Sequence, residues 1–298
     1  MPVWNGERWL AEALESILGQ TFRDFELLLI DDGSTDRSAE IALSYGDERL
    51  RLISLEHAGL VEALNKGLAE ARGEVVARMD ADDVALPQLF ERGLGYLDDH
   101  PDVALVIASC AMIDSEGRLI SETILPPDEV DLRRRFLLRN PTAHGAVLVR
   151  RAALVDSGGY RSDYGHNEDY ELWTRLAGRH RIAALPEVLF RFREHGGRIT
   201  KATLDDRVRR RELLRDELWR DYDVLDLGLR ELVRRGRGYR REPAAFAEFV
   251  ADQRTLAREA YRHGRRSAAF RTALAATLLD PAAAVVSVKR ALERRRSR

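Results

Sequence analysis

Carboxylates are concentrated at two places in the first hundred residues, each directly after an apolar run. Asp31 and Asp32 follow residues 25–30, and the cluster Asp80-Ala81-Asp82-Asp83 follows residues 74–79. Three carboxylates within four residues repel one another strongly unless a cation compensates them. Mg²⁺ and Mn²⁺ prefer oxygen ligands and commonly bridge carboxylates to phosphates. The second cluster therefore predicts a metal–diphosphate site, the alternative being a solvated acidic turn.

The first acidic cluster has two interpretations. Gly33 allows the tight turn that a binding loop at a strand end needs. The next residues, Ser34-Thr35-Asp36, precede a helical apolar pattern, and Ser, Thr and Asp all cap helix N-termini well. Spacing alone leaves open whether this cluster binds a ligand or caps a helix.

The elements that must position these clusters alternate along the chain. The predicted strands are 25–30, 50–55, 74–79, 103–113 and 146–149, with short strands ending at 193, and the predicted helices are 9–18, 60–71, 87–98, 131–139 and 167–177. Such alternation is typical of an α/β fold with a mainly parallel sheet. Ligands bind beyond the carboxyl ends of the strands in such sheets, where both clusters lie. Since residues 1–6 read as a strand end and turn, we expect a truncated first strand.

Charge divides the chain at residue 200. Residues 201–298 hold 25 basic and 15 acidic residues, a net +10, whereas residues 1–200 hold 23 and 35, a net −12. Long Arg/Leu/Ala helical patterns fill the basic part, without a convincing strand. We therefore predict one domain at 1–200 and an Arg-rich α-helical C-terminal region at 201–298.

Composition excludes several classes of protein. Apolar residues make up 45% of the chain, enough for a buried core. The single cysteine, Cys110, excludes a disulfide framework and a zinc site of paired cysteines. No apolar run reaches the roughly 18–20 residues of a spanning helix, and the N-terminus lacks a signal-peptide pattern. We therefore expect a cytoplasmic protein.

Five motifs, taken in order, resemble those of family 2 glycosyltransferases. They are Pro2-Val3-Trp4-Asn5-Gly6, Ser16-Ile17-Leu18-Gly19-Gln20-Thr21-Phe22, Asp31-Asp32-Gly33-Ser34-Thr35-Asp36, Ala77-Arg78-Met79-Asp80-Ala81-Asp82-Asp83 and Asn167-Glu168-Asp169-Tyr170-Glu171-Leu172-Trp173. The resemblance implies a GT-A fold, with a Rossmann-like sheet, over residues 1–200. It also implies an inverting transferase that uses a nucleotide-diphosphate sugar and Mn²⁺ or Mg²⁺.

The resemblance places the donor along the N-terminal motifs. Pro2, Trp4 and Asn5 would lie along the nucleotide. Asp32 would hydrogen-bond the base, so UDP- and dTDP-sugars are the expected donors. Gly159, in Gly158-Gly159-Tyr160, resembles the glycine loop beside the donor sugar.

The resemblance also assigns the metal and the base. Asp82 would lie near the ribose and the metal, and Asp83 resembles the metal-coordinating residue; Asp80 belongs to the same motif, and the assignment among the three stays open. His195 resembles a histidine that reaches the metal or diphosphate, although a loop histidine is usually just solvated. In the Glu168-Asp169 pair, Asp169 resembles the catalytic base. Taken alone, this pair is better explained as an ordinary acidic first turn of a helix, and the base assignment depends on its register with the other motifs.

The implied function is sugar transfer to a hydroxyl of a glycan, lipid-linked or small-molecule acceptor. The alternative is a catalytically degenerate glycosyltransferase-like binding or assembly module, which the short first strand favours. For the basic helices, three readings stay open: peripheral contact with the inner membrane face, packing on acidic protein surface, or a solvated tail. Nucleic acid is not an expected partner, because acids interleave with the basic residues and aromatic residues are few there.

Overall fold

The computed structural model describes residues 1–196 and 227–281. The chain divides into two compact units, one comprising Met1–Leu132 and Asn140–Leu214 and the other Arg133–Arg139 and Arg215–Arg298. The predicted domain boundary at residue 200 lies outside the described residues. The sequence did not indicate that residues 133–139 would group with the C-terminal part of the chain.

The first sheet of the first unit has three parallel strands in the order β1-β2-β3. They are β1 (Pro2–Val3), β2 (Leu27–Asp31) and β3 (Leu50–Ser54). The first strand is two residues long and pairs with the end of β2, where Val3 lies opposite Asp31. Strand β2 is buried along its whole length, which explains its nearly unbroken run of apolar residues. Its carboxyl end delivers the first acidic cluster.

The second sheet has six strands in the order β4-β8-β6-β9-β5, with β7 paired to β6. Its strands are β4 (Val75–Ala77), β5 (Val84–Ala85), β6 (Val103–Ile113), β7 (Leu119–Thr123), β8 (Val147–Arg150) and β9 (Arg181–Arg193). Only β6 and β9 pair in parallel in this sheet. The β4–β8, β5–β9, β6–β7 and β6–β8 pairs are antiparallel.

Helices connect and cover these strands. They are α1 (Leu10–Leu18), α2 (Ser38–Ser44), α3 (Leu60–Glu70), α4 (Leu89–Asp99), α5 (Glu129–Phe136), α6 (Arg151–Asp156) and α7 (Glu168–Arg179). A 3₁₀ helix, Ser162–Asn167, leads into α7. The largest core cluster joins buried residues of α1, α4 and both sheets, among them Leu10, Leu29, Val106 and Phe190. This core fixes the strand ends that carry the polar loops.

The predicted α/β class is confirmed, and the parallel pairing that we expected holds for the first sheet and for β6–β9. The remaining pairs are antiparallel. Two of them, β5–β9 and β6–β7, involve the short strands β5 and β7, which the apolar pattern did not reveal. The short strands expected before residue 193 form one strand, β9, which is irregular where Pro186 and Glu187 fall between the paired residues Leu185 and Val188. Proline lacks the N–H that a ladder needs there.

The second unit is helical in its described part. It contains α8 (Leu229–Gly238), a 3₁₀ turn (Tyr239–Arg241), α9 (Pro243–Arg262) and α10 (Arg266–Leu279). Its apolar cluster includes Phe249, Val250, Ala276 and Leu279. Within the described residues, no helix is both long enough and apolar enough to cross a membrane. The basic segment 289–298, for which membrane contact was one reading, lies outside the described residues.

Within the second unit, the arginines of residues 133–139 pair with polar residues of α9. The Arg134 guanidinium is buried and donates to Gln253 Oε1 at 2.9 Å. Arg135, also buried, lies 3.2 Å from Glu248, and Arg139 lies 3.2 Å from Asp252. Buried guanidinium groups are tolerated when such partners satisfy them. These arginines, which precede residue 200, therefore serve packing within the unit by pairing with polar and acidic residues of the C-terminal part.

Candidate active site

The loop after β1 is tied to the loop after β2. Asn5 adopts a left-handed backbone conformation, with φ at +51°, which Asn tolerates better than most residues. Its side-chain Oδ1 accepts a hydrogen bond from the Thr35 N–H at 2.8 Å, and its own N–H donates to Ser34 Oγ at 3.0 Å. The Gly6 N–H donates to Ser38 Oγ at 2.9 Å. The first and third sequence motifs thus form one rigid surface.

Asp32 lies beneath this surface with its carboxylate almost fully buried. The carboxylate accepts hydrogen bonds from the N–H groups of Ala58 and Gly59 at 2.6 and 2.9 Å, directly before α3. A carboxylate is stabilised at a helix N-terminus. Asp32 therefore holds the residues that lead into α3, and these contacts orient its side chain.

An aromatic pair stands beside Asp32. The rings of Trp4 and His57 stack with centroids 4.8 Å apart, and the Trp4 side chain is 53% exposed. His57 Nδ1 lies 3.1 Å from the Asp32 carbonyl oxygen and 3.4 Å from its carboxylate. Such an exposed flat surface next to a fixed carboxylate can stack on a planar base. His57 was not among the residues predicted from the sequence.

The acidic loop between β4 and β5 brings its three aspartates together. One carboxylate oxygen from each of Asp80, Asp82 and Asp83 can be chosen such that all three lie within 4.8 Å of one another. Asp80 forms an ion pair with buried Arg78. Asp83 is 1% exposed, and its Oδ1 accepts the N–H of Arg193, at the end of β9, at 2.8 Å. The three groups form a compact set of hard oxygen donors, which fits a divalent cation.

His195 reaches the same loop from the end of β9. Its Nε2 lies 2.9 Å from Asp82 Oδ2, and its ring packs against Trp9 with centroids 4.2 Å apart. The neighbouring Arg193 is buried and donates to the Asp82 carbonyl at 2.9 Å and to Glu12 at 2.6 Å. His195 is thus adjacent to the acidic cluster, while Arg193 fixes the loop backbone.

Glu168 and Asp169 begin α7 and differ in environment. Glu168 is buried, and this burial, reinforced by the Asp169 carboxylate, raises the pKa of Glu168 to about 8. Asp169 is half-buried, and its Oδ1 accepts the N–H of Tyr170 at 2.6 Å. When one of two adjacent carboxyl groups is desolvated, the pair carries one negative charge more readily than two negative charges. At neutral pH the buried Glu168 is mainly protonated, which leaves Asp169 as the better placed base.

The loop before β8 contacts the start of α7 and the glycine loop. Asn140 Nδ2 donates to Asp169 Oδ2 at 2.7 Å. His144 Nε2 lies 3.1 Å from the Tyr160 hydroxyl, and both rings pack near Trp173, with centroids 5.8 and 6.2 Å from it. Burial lowers the pKa of His144 well below its usual value, so this imidazole is neutral. Asn140 was not predicted from the sequence, because its partner is 29 residues away.

The glycine loop is held by α3. Gly159 has φ at +68°, which favours glycine, and a Cβ at this position would lie 2.7 Å from Asn65 Oδ1. The Asn65 carboxamide accepts the Tyr160 N–H at 2.9 Å and donates to the Tyr160 carbonyl at 3.0 Å. Asn65, also missed from the sequence, therefore sets the path of this loop.

Electrostatic effects connect the acidic loop with the start of α7. The pKa of the Tyr160 phenol is raised first by burial and further by the nearby Asp169, Glu168 and Asp80 carboxylates, while Arg78 opposes the rise. The phenol therefore lies among the acidic groups of both motifs. The structure brings these predicted residues to one region. The loop after β1, which carries Trp4, adjoins the acidic loop, since a Cβ at Gly6 would lie 3.5 Å from the Ala81 Cβ.

The comparisons with known proteins agree on one family. The family model described as glycosyl transferase family 2 matches residues 1–158. The amylovoran biosynthesis glycosyltransferase AmsE of Erwinia amylovora is 33% identical over 196 residues, which cover 64% of this chain and 73% of that protein. The putative glycosyltransferase EpsE of Bacillus subtilis is 34% identical over 201 residues, covering 65% of this chain and 71% of that protein.

Solved structures share the fold. TarS 1–349 from S. aureus in complex with UDP-GlcNAc superposes with a TM-score of 0.62 at 22% identity, covering 74% of this chain and 66% of that one. The mannosyltransferase PcManGT from Pyrobaculum calidifontis, in complex with GDP-Man and Mn²⁺, superposes with a TM-score of 0.53 at 24% identity. The match covers 98% of this chain and 78% of that one. The fold and the acidic loop thus define a glycosyltransferase with the GT-A fold. The chain belongs to glycosyl transferase family 2.

Proposed function

We propose that this protein transfers a sugar from a nucleotide-diphosphate sugar to a hydroxyl group, with inversion at the anomeric carbon. The acceptor would be a glycan, a lipid-linked glycan or a small molecule. The observation that carries the proposal is the grouping of the acidic loop and the Glu168–Asp169 pair around Arg78 and Tyr160. This grouping supplies metal-binding oxygens and a carboxylate base in one region.

For the donor nucleotide, the surface formed by Trp4, Asn5 and His57 provides a stacking platform next to Asp32. We expect the base to stack on the exposed Trp4 ring and Asp32 to contact its polar edge, with Pro2 along the nucleotide. The neighbouring structures contain UDP-GlcNAc and GDP-Man, so the fold accommodates more than one base. The proposed donors for this chain are UDP- or dTDP-sugars.

The metal would be held by the acidic loop. Asp80, Asp82 and Asp83 supply the oxygens, and His195 supplies a nitrogen next to Asp82. A bound Mn²⁺ or Mg²⁺ supplies Lewis-acid stabilisation of the leaving diphosphate. Arg193 holds the loop through the Asp82 carbonyl and through its own N–H to Asp83, so the carboxylates keep their positions.

The chemical step would be a single displacement. An oxygen of Asp169 accepts the proton of the acceptor hydroxyl while that hydroxyl oxygen bonds to the anomeric carbon. The bond from this carbon to the diphosphate oxygen breaks on the opposite face, which inverts the configuration. Glu168, protonated at neutral pH because of its burial, leaves the negative charge of the pair on Asp169. The Gly159 loop, fixed by Asn65, would lie beside the donor sugar.

The first test is donor binding by thermal shift. A ligand that binds only the folded state raises the unfolding temperature, so UDP-, dTDP- and GDP-sugars are screened with Mn²⁺ and with EDTA. We expect a UDP- or dTDP-sugar to stabilise the protein in a Mn²⁺-dependent way. Asp82→Asn should remove the Mn²⁺ dependence. If none of these donors raises the unfolding temperature of the wild-type protein, the proposal fails in favour of the degenerate module.

The second test addresses the base and the stereochemistry. Asp169→Asn should lower turnover of the donor found in the screen by at least about 10²-fold, the usual scale for loss of a general base, and leave donor binding nearly unchanged. Early-time NMR of the released or transferred sugar should show the anomer opposite to that of the donor. Retention of configuration, or unchanged turnover in the variant, would refute the single displacement by Asp169.

A further inference from the structure

Asn140 makes a direct contact with the carboxylate proposed as the base. Its Nδ2 donates to Asp169 Oδ2 at 2.7 Å, a distance typical of a charge-assisted hydrogen bond. Asp169 Oδ1 accepts the N–H of Tyr170. The two carboxylate oxygens therefore have different donors, one from the backbone of their own helix and one from a separate loop.

The orientation of the Asn140 carboxamide is set within its loop. Its Oδ1 accepts the Thr142 N–H at 3.4 Å, so the amide nitrogen faces away from Thr142 and toward Asp169. Pro141 follows Asn140, and a residue before proline is restricted to extended backbone conformations. The same loop is tied to the glycine loop through His144 and Tyr160. Asn140 is thus presented to Asp169 by a constrained segment.

The hydrogen bond from Asn140 to Asp169 lies in a region that contains several ionisable groups. Glu168 precedes Asp169 on α7, and the nearby Tyr160 phenol lies close to both carboxyl groups, to Asp80 and to Arg78. The Asn140 amide donates a hydrogen bond to the Asp169 carboxylate without adding a charge of its own. The donor also fixes which oxygen lone pairs face outward.

We propose that Asn140 is the positioning residue of the base: it holds Asp169 by Oδ2, keeping the carboxylate in one rotamer and ready to accept a proton. This inference rests on the proposed function. It predicts an effect on turnover, with little effect on donor binding, because Asn140 contacts the base and none of the residues of the nucleotide surface.

The test compares Asn140→Asp and Asn140→Ala with Thr142→Ala in the full chain, using the donor identified by thermal shift. Asn140→Asp keeps the shape but replaces the N–H donor by an oxygen. We expect both Asn140 variants to lower kcat by about 10- to 100-fold while KM for the donor changes less than about threefold, the pattern of an interaction made in the transition state. Thr142→Ala removes a side chain of the same loop that does not face Asp169 and should retain kcat within about twofold.

A double-mutant cycle separates positioning from loop damage. If Asn140 acts through Asp169, adding Asn140→Ala to Asp169→Asn should change the residual turnover by less than about twofold. Unchanged kcat in both Asn140 variants, or a full additional loss in the double variant, would overturn the inference. Unchanged turnover in Asp169→Asn alone would instead refute the proposed function, so the two failures are distinguishable.

Discussion

Replacing Glu168 by glutamine should change how stability depends on pH. In the folded protein the pKa of Glu168 is raised from 4.5 to about 8, first by burial and then by the Asp169 carboxylate. The folded state therefore keeps a proton on Glu168 over a pH range in which the unfolded chain has released it. Because the unfolded state binds fewer protons there, raising the pH destabilises the folded protein. Glutamine cannot titrate and removes this contribution.

The size of the effect follows from the shift. Each unit of pKa difference corresponds to about 1.4 kcal/mol of unfolding free energy. Glu168 is only 6% exposed, so solvent does not screen the shift appreciably. The wild-type protein should lose stability from about pH 4.5 to pH 8, by about 3 kcal/mol at pH 7 and at most about 5 kcal/mol at pH 8 and above. Glu168→Gln should match the wild type near pH 5 and exceed its stability by these amounts at higher pH.

The assay is urea unfolding in metal-free buffer between pH 5 and 9, with the transition followed by tryptophan fluorescence. The matched control is Glu171→Gln on the same helix. Glu171 is also buried but accepts a hydrogen bond from Arg175 at 2.7 Å, so its neutralisation should lower stability at pH 7. A Glu168→Gln variant that follows the wild-type pH curve, or that loses stability as Glu171→Gln does, would show that Glu168 is ionised in the folded protein.

Two further predictions concern the donor surfaces. Gly159→Ala should destabilise the protein by about 1–3 kcal/mol in the same unfolding assay, since φ is +68° and the new Cβ would lie 2.7 Å from Asn65 Oδ1. Gly158→Ala is the control, because Gly158 has φ at +84° but open space around the position of a Cβ. It tests the backbone strain alone and should lower stability less than Gly159→Ala. Equal losses of stability in the two variants would show that the contact with Asn65 does not contribute. Trp4→Ala should weaken UDP binding by about tenfold, on the scale of one base–aromatic stack, because Trp4 is exposed and contacts His57. Titration calorimetry with UDP measures this change. An unchanged Kd would show that the base does not stack on Trp4.

The sequence predicted the fold class because its apolar runs coincide with buried strands. The run at residues 103–113 is the strand β6 (Val103–Ile113), which is buried almost throughout. Strands such as β5 (Val84–Ala85) have two residues and carry no periodicity that could be recognised. Antiparallel pairing was missed for a different reason: the direction in which two strands pair depends on contacts between distant segments, which a local apolar pattern does not show.

The site was predictable where chemistry is local in sequence. The acidic loop places three carboxylates within four residues, and the structure keeps Asp80, Asp82 and Asp83 together. Asn140 and Asn65 could not be found in this way, because amides carry no charge pattern and their partners, Asp169 and Tyr160, are 29 and 95 residues away. Such residues become visible only when the fold brings the segments into contact.

The arginines of residues 133–139 have a practical consequence for dividing the gene. These residues stand in the middle of the sequence of the first unit, yet Arg134 donates a hydrogen bond to Gln253 and Arg135 forms an ion pair with Glu248, both more than a hundred residues later. A gene fragment that stops at residue 200 would lack the hydrogen-bond partner of Arg134 and the ion-pair partner of Arg135, so both buried guanidinium groups would lose stabilising contacts. Deletion mapping of the catalytic activity therefore has to retain α9 (Pro243–Arg262), even though this helix carries none of the predicted catalytic residues.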